Sequence, residues 1–355
     1  MYVYVGGFAR EAGAAGIAVF RMDTSAGALE PLHTVSGLHS PSWVTLHPTR
    51  PFLYAVERQW SPEESQVGAV AAFTIDPASG GLQALNRVRS GGTSPCYVSV
   101  HPGGQHLFAA HYASGQVAAF PIEADGRVGE ATQVVQHEGR GPNPQRQEGP
   151  HAHFITPDPS GRFVLSCDLG IDKVLVYRLD TGTGRLVPND VPYGQVASGD
   201  GPRHLAFHPS GRFVYVINEI NSGLSAFAYD GERGTLTHLH TLSTLPADFS
   251  GRSHCAQVIV HPNGRFVYGS NRGHDSIAIF AIDEESGRLQ PLGHQPTQGK
   301  TPRNFNVDPS GTFLLAANQD SHTIVVFRID GERGTLSPTG HVVETPSPSC
   351  VMFLQ

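Results

Sequence analysis

One hairpin unit recurs along this chain. A repeat this short can bury its apolar faces only against copies of itself. The fullest copy, residues 201–219, reads GPRHLAFHPSGRFVYVINE. It is an apolar strand, a tight turn at His208-Pro209-Ser210-Gly211, and a second strand rich in aromatic and β-branched residues. Further copies begin at His47 (HPTRPFLYAVE), His101 (HPGGQHLFAAHY), Asp158 (DPSGRFVLSCDLG), His261 (HPNGRFVYGSNRG) and Asp308 (DPSGTFLLAANQD). Each turn follows a strand that opens on a small-Pro pair or a variant of it, as in SPSWVTL, SPCYVSV and TPRNFNV. Each hairpin is followed by an alternating strand such as KVLVYRLD or TIVVFRID, then a shorter fourth one. A period of roughly 50 residues with four short strands predicts a β-propeller blade.

Six turns are visible, and the chain ends supply a seventh unit. SPSCVMFLQ at the C-terminus matches SPSWVTL, a first strand with nothing after it. MYVYVGGFA at the N-terminus matches a second strand, and GIAVFRMD a third. The expected fold is all-β: a single domain, residues 1–355, of seven four-stranded antiparallel blades. The last blade is closed by the N- and C-terminal strands together, which removes exposed edges.

Charged residues make up only 15% of the chain and glycine numbers 41, as many turns and half-buried strands require. A net charge of −7 argues against a nucleic-acid or membrane surface. Residues 1–6 already read as strand rather than as a leader, and no apolar run is long enough to span a bilayer. Cys96, Cys167, Cys255 and Cys350 form no CxxC pair and are expected as buried free thiols. These features predict a soluble, cytoplasmic protein, monomeric or weakly dimeric, without nucleic-acid or membrane partners.

In a propeller the first strand starts, and the second ends, on one face near the central channel. Alignment by the repeat proline places Ser42, Cys96, His153, Arg203, Ala256 and Arg303 at equivalent points on the first strands. The second strands end in Glu57, His111, Asp168, Asn218-Glu219, Asn271-Arg272 and Asn318-Gln319. Structural demands are the same in every blade, yet these positions differ, and the chemically capable ones cluster in consecutive blades. That asymmetry marks a site. The hairpin register sets Arg203 beside Glu219.

The turn residues behave oppositely. His47, His101, His208 and His261 are replaced by Asp158 and Asp308 in equivalent turns, so a bond to the local backbone is the expected role. His151 and His153, two apart in PHAHF, are expected to point to one side at the site-bearing end. Residues 136–149, QHEGRGPNPQRQEG, form the longest stretch without strand character. They are placed to cover the channel as a lid carrying Arg140 and Arg146, the alternative being a passive loop. A second loop, residues 244–254, brings Arg252 and His254 to the same face.

PHAHF, GPRHLAFHPSGRFVYVINE, SNRGHDSIAIF and TPRNF with LLAANQDS resemble the seven-bladed lactonase family over essentially the whole chain. That family includes the propeller type of 6-phosphogluconolactonase and the fungal carboxymuconate-lactonizing enzymes. The resemblance implies a lactonase site built from a histidine, two arginines and a glutamate. By motif position these are His153, with His151 as neighbouring candidate, Arg203, Glu219 and Arg272. Where the family reads Ala-Glu-Ile, this chain has Ala256-Gln257-Val258, which removes a charge near the site.

Hydrolysing a sugar lactone needs a base for water and cations where the carbonyl oxygen becomes negative. His153 or His151 is the expected base. Arg203 and Arg272 would stabilise the oxyanion or bind an anionic substituent. Glu219 would orient Arg203, or act as the base itself if burial raises its pKa. Lys300 and Arg303 extend the positive pocket, and Asp168, Asn218 and Asn271 complete the expected substrate contacts. The expected substrate is a small anionic lactone, 6-phosphogluconolactone above others, with no cofactor and no metal. Three alternatives remain open: a lactone-forming cycloisomerase, a calcium-dependent lactonase using Asp168, Asn218, Glu219, Asn271 and Asn318, and a binding propeller with exposed aromatic anchors. The only tryptophans available as anchors are Trp43 and Trp60.

Overall fold

Alternation of apolar and polar residues in each repeat produces four strands that pair antiparallel in chain order, giving seven four-stranded sheets. The computed structural model describes residues 1–8, 16–59, 61, 64 and 66–354. Ala9, Trp60 and Gln355, on which the sequence reading drew, lie outside them. Blades 1 to 6 begin with strands Trp43–Leu46, Pro95–Val100, Ala152–Pro157, Pro202–Phe207, His254–Val260 and Pro302–Val307. Blade 7 is completed from both ends of the chain, because Pro348–Leu354 pairs with Tyr2–Gly7. Its register runs from Tyr2↔Leu354 to Gly6↔Cys350.

The core lies between sheets. One apolar cluster joins blades 3 and 4 through Leu165, Val176, Val214 and Phe227. Another joins blades 5 and 6 through Tyr268, Ile279, Phe305 and Phe327. Each inner strand therefore has neighbours on both faces, and its residues are buried almost throughout.

Polar latches repeat with the blades. The hydroxyls of Tyr4, Tyr54, Tyr215 and Tyr268 donate to the carbonyls of Gly80, Gly126, Gly287 and Gly334, each in a turn of the next blade. Gly287 has φ +69°, and a Cβ there would lie 2.3 Å from the Phe213 ring of the preceding blade. Glycine is the residue that meets both demands.

The turn histidines also latch blades. Nδ1 of His208 accepts the Ser210 amide, while Nε2 reaches the Gly264 carbonyl of blade 5 at 2.8 Å. His47, His101 and His261 do the same to Gly104, Gly161 and Gly311. Asp158 and Asp308 keep the local half of this role by accepting the amides of Phe163 and Phe313, and Asp158 also accepts the Tyr229 hydroxyl of blade 4. The structural reading of these histidines holds, but they bond two backbones, one of them in the next blade. His208→Asp should therefore keep the turn and lose the bond to Gly264. We expect about 1 kcal/mol less stability by denaturant titration and an undisturbed channel mouth.

Candidate active site

The first strands reach the channel through a break in their ladders. In blades 2 to 6 the pairing register shifts at the opening turn of the first strand. The extra residue is Cys96 in blade 2, His153 in blade 3, Arg203 in blade 4 and Arg303 in blade 6. The shift in blade 5 spans Ala256, and that in blade 7 leaves out Ser349. A bulge turns a side chain away from the pleat without costing the rest of the strand its pairing. Ser42, Cys96, His153, Arg203, Arg303 and Ser349 accordingly line one cavity.

A second ring lies one residue past the second strands. The amides of Tyr112, Leu169, Glu219, Gln319 and Phe8 bond back to carbonyls of Ser94, His151, Gly201, Thr301 and Ser347, which precede the first strands. Arg58 takes the same place in blade 1 and Arg272 in blade 5. The channel is floored beneath these rings. The rings of Trp43 and Tyr97 stand 4.2 Å apart and Tyr97 and Phe154 4.2 Å apart, with His204 in contact with all three.

Glu219 is the hub. Its Oε2 lies 2.8 Å from Arg203 Nε and 2.8 Å from Arg272 Nη2, and its Oε1 accepts from Arg146 Nη2 at 2.5 Å. The Arg203 contact is too poorly aligned for a hydrogen bond, so it is an ion pair held by charge. Burial pushes the Glu219 carboxyl up, but Arg272, Arg203, His153 and Arg146 outweigh it and hold the group well below the usual carboxylate range. That runs against the raised-pKa base considered for Glu219 from sequence.

Arg203 is held on its other side as well. Nη1 donates to the Ala256 carbonyl and lies 3.2 Å from His204 Nε2. His204 Nδ1 meets Gln257 Oε1 at 2.6 Å. The amide oxygen only accepts, so His204 carries its proton on Nδ1 and offers Nε2 to the guanidinium. The Gln257 departure thus orients a neutral imidazole. Burial and the adjacent Arg203 keep the His204 pKa well below its ordinary value.

The two histidines of PHAHF separate. His153 is buried, and no protein hydrogen bond engages its ring among the described residues. Burial, then Arg203 and His204, drive its pKa well below 6.5 against the pull of Glu219, so it is neutral. His151 stacks on Tyr112 at 4.6 Å. Its nitrogens are occupied by the Tyr112 carbonyl and Glu148, which leaves His153 as the imidazole free for chemistry.

Loop 136–149 is neither solvated filler nor loosely tethered. His137 at one end is buried against Asp168 at 2.6 Å and Tyr177 at 2.9 Å. Gln147 at the other donates to the Leu169 carbonyl and Asp172. Between them Arg146 reaches Glu219, so the anion it meets is a protein carboxylate. Arg140 and Arg252 stay exposed, and His254 Nδ1 lies 3.3 Å from the Glu219 carbonyl.

Three expected substrate contacts lie out of reach of a ligand. Asp168, Asn218 and Asn271 are fully buried. Asp168 accepts the amides of His151 and Gly170, Asn218 donates to Ser225, and Asn271 bonds Thr244. They fasten loops within the scaffold. The bonds to Asp168 and Asn271, with Glu219 held by three guanidinium groups, occupy oxygens that the calcium reading required, while Oδ1 of Asn218 and of Asn318 stays buried without a partner among the described residues. Among the described residues no group of three or more His, Cys, Asp or Glu is arranged to hold a metal ion. Lys300 is exposed and contacts none of the cluster among the described residues, whereas Arg303 lines the cavity. Trp43 is buried in the channel floor and cannot anchor a protein partner.

The chain matches the family "Lactonase, 7-bladed beta-propeller" over residues 2–353. It is 37% identical to a 6-phosphogluconolactonase of Bacillus subtilis over 99% of this chain and 97% of the relative. A 6-phosphogluconolactonase of Serratia proteamaculans is 33% identical, covering 80% of each chain. The periplasmic gluconolactonase of Pseudomonas aeruginosa superposes with TM-score 0.93 at 33% identity, covering 100% of this chain and 99% of that one.

The hub makes Glu219→Gln a stability mutation as well as a functional one. Removing the carboxylate leaves three guanidinium groups facing one another, two of them largely buried. We expect a loss of about 3–5 kcal/mol, the scale of breaking a buried pair. Because the Glu219 pKa is depressed, its contribution is complete above the unfolded value near 4.5 and is lost as pH falls through the folded value. Denaturant titrations against pH should show this acid-side decline in the wild type and a weaker one in Glu219→Gln.

Proposed function

The chain belongs to the seven-bladed β-propeller lactonase family, and we propose that this lactone hydrolase opens a phosphorylated sugar lactone, 6-phosphogluconolactone. The observation that carries the reading is the neutral, uncommitted imidazole of His153 within a cluster of fixed guanidinium groups. Arg203 has Nε on Glu219 and Nη1 on Ala256 and His204, which leaves Nη2 without a protein partner among the described residues. Arg272 spends Nη2 on the Cys255 carbonyl and Glu219 and keeps Nη1 open. Donors immobilised by neighbours stabilise developing charge at little reorganisation cost.

In this reading water adds to the lactone carbonyl carbon while His153 takes one of its protons. The carbonyl oxygen becomes an oxyanion facing the open N–H groups of Arg203 and Arg272. Collapse of the tetrahedral intermediate breaks the bond from the former carbonyl carbon to the ring oxygen, which leaves as the alcohol with the proton from His153. Water is consumed, and the new carboxylic acid ionises. Glu219 stays ionised throughout and fixes the guanidinium groups. The four cysteines are buried and unpaired, which supports a reducing, cytoplasmic setting. No helix among the described residues is long and apolar enough to cross a membrane.

The test is hydrolysis by the purified protein of 6-phosphogluconolactone and unphosphorylated gluconolactone, corrected for spontaneous opening. Absence of enzymatic hydrolysis of the phosphorylated lactone would overturn the proposal. Arg203→Lys keeps a charge but loses the planar fork, and should lower kcat about 10²-fold in a folded protein. His153→Gln should cost 10² or more, the usual scale for a lost general base.

The pH profile is a separate check. A base must be unprotonated, and the depressed pKa of His153 keeps it so from well below pH 6.5 upward. The enzymatic rate should be flat from about pH 6.5 to neutrality and fall only in acid. A rate that titrates near the ordinary histidine value would remove His153 from the role. Chelation of divalent cations should leave the rate unchanged, since arginines supply the positive charge.

A further inference from the structure

We propose that Arg58 and Arg303, both stacked on Phe8, form the subsite that binds the phosphoryl group of the substrate. The proposal rests on the reading of the chain as a hydrolase of a phosphorylated lactone, and it names the residues that make the phosphate matter.

Charge at the channel mouth is unevenly matched. Arg58, Arg146, Arg203, Arg272 and Arg303 gather there around Glu219, in a chain whose net charge is −7. Both oxygens of Glu219 are spent on Arg146, Arg203 and Arg272. Neither Arg58 nor Arg303 has a carboxylate within ion-pair reach among the described residues. Glu57, beside Arg58 in sequence, is buried and turned to Arg87 at 2.8 Å and to the His39 amide.

What these two arginines share is a ring. The guanidinium carbon of Arg303 lies 4.9 Å from the Phe8 centroid, and that of Arg58 lies 5.5 Å from it. A phenyl face holds a guanidinium group without neutralising it and leaves the N–H edges available. Burial and the nearby Arg203 and Arg272 push the Arg303 pKa well down, the condition of a cation short of an anion. Holding uncompensated charges together costs stability, and a dianion arriving with the substrate removes that cost. A planar guanidinium pair also suits phosphate oxygens geometrically.

Position separates this subsite from the chemistry. Arg303, Phe8 and Arg58 come from blades 6, 7 and 1, whereas His153, Arg203, Glu219 and Arg272 come from blades 3 to 5. Arg303 and Phe8 line the same cavity as His153 and Arg203. A ligand with its reactive carbonyl at one end and a phosphoryl group at the other spans the two arcs.

The experiment compares wild type, Arg58→Gln and Arg303→Gln on 6-phosphogluconolactone and unphosphorylated gluconolactone. We expect the ratio of kcat/KM between the two substrates to fall at least tenfold in each variant, chiefly through KM for the phosphorylated one. Arg303→Lys should fall between wild type and Arg303→Gln, and it serves if the glutamine variant fails to fold. A ratio that does not move, or equal slowing on both lactones, would overturn the subsite. Calorimetric titration with inorganic phosphate supplies a readout that needs no turnover, with affinity expected to drop tenfold in each variant. If wild type hydrolyses the phosphorylated lactone but the variants leave the ratio and phosphate affinity unchanged, the subsite fails alone. If wild type hydrolyses neither lactone yet binds phosphate through Arg58 and Arg303, the functional reading fails and the anion site stands.

Discussion

A ring of sheets covers its last exposed faces only when the last sheet is completed, and here that depends on pairing the end of the chain with its beginning. Val3, Tyr4 and Val5 pair with Phe353, Met352 and Val351, so the sheet that closes the circle is zipped by two segments remote in sequence. Closure presses each inner strand between two neighbours and turns seven first strands toward a common axis. The cavity at that axis belongs to no single blade. It exists because the circle is complete.

The bulges make that geometry useful. A regular strand entering the axis would alternate its side chains between two packed faces, and a guanidinium group has no place in either. One or two unpaired residues in the first strands of blades 2 to 7 escape the alternation. His153, Arg203 and Arg303 occupy such a position in their blades, while Ser42, Cys96, Ala256 and Ser349 keep the rest of the ring small. Site chemistry is therefore separated from sheet pairing, whereas the tyrosine and histidine latches that join blades repeat with little change.

Much of this was legible because repeats provide their own alignment. The blade count, the terminal closure and the Arg203–Glu219 pair all follow from hairpin register. The misses have one cause for the most part. At the end of each second strand two adjacent residues compete for the channel, and pleating decides between them. Alignment of the repeats points to Glu57, His111 and Asp168, but the hydrogen-bonded corner presents the residue after each: Arg58, Tyr112 and Leu169. In blades 4, 5 and 6 the alignment gives both members of the pair, and so includes Glu219, Arg272 and Gln319. The offset of Glu219, carried round the circle, marks Arg58 and Phe8 as well. Arg146 reads as an anion-seeking residue, but a loop has no repeat to set its reach. Nothing in sequence foretold that His137 and Gln147 would tie that loop down on Glu219.

The balance of charge explains why a carboxylate in a buried site is held so far from acting as a base. An isolated buried glutamate would rise toward neutrality, because burial disfavours the ionised form. Three guanidinium groups within 3 Å reverse that, and the depressed pKa of Glu219 measures their combined pull. The exchange works in both directions, since each arginine is lodged in low-dielectric surroundings by the carboxylate it shares. Glu219 cannot give up its charge to a proton without releasing all three. In the proposed hydrolysis, proton transfer therefore falls to a neighbour whose burial works the opposite way. The same positive field that keeps Glu219 ionised keeps His153 unprotonated, so one set of arginines fixes the anion, leaves the imidazole with a lone pair, and presents the donors that a developing oxyanion needs.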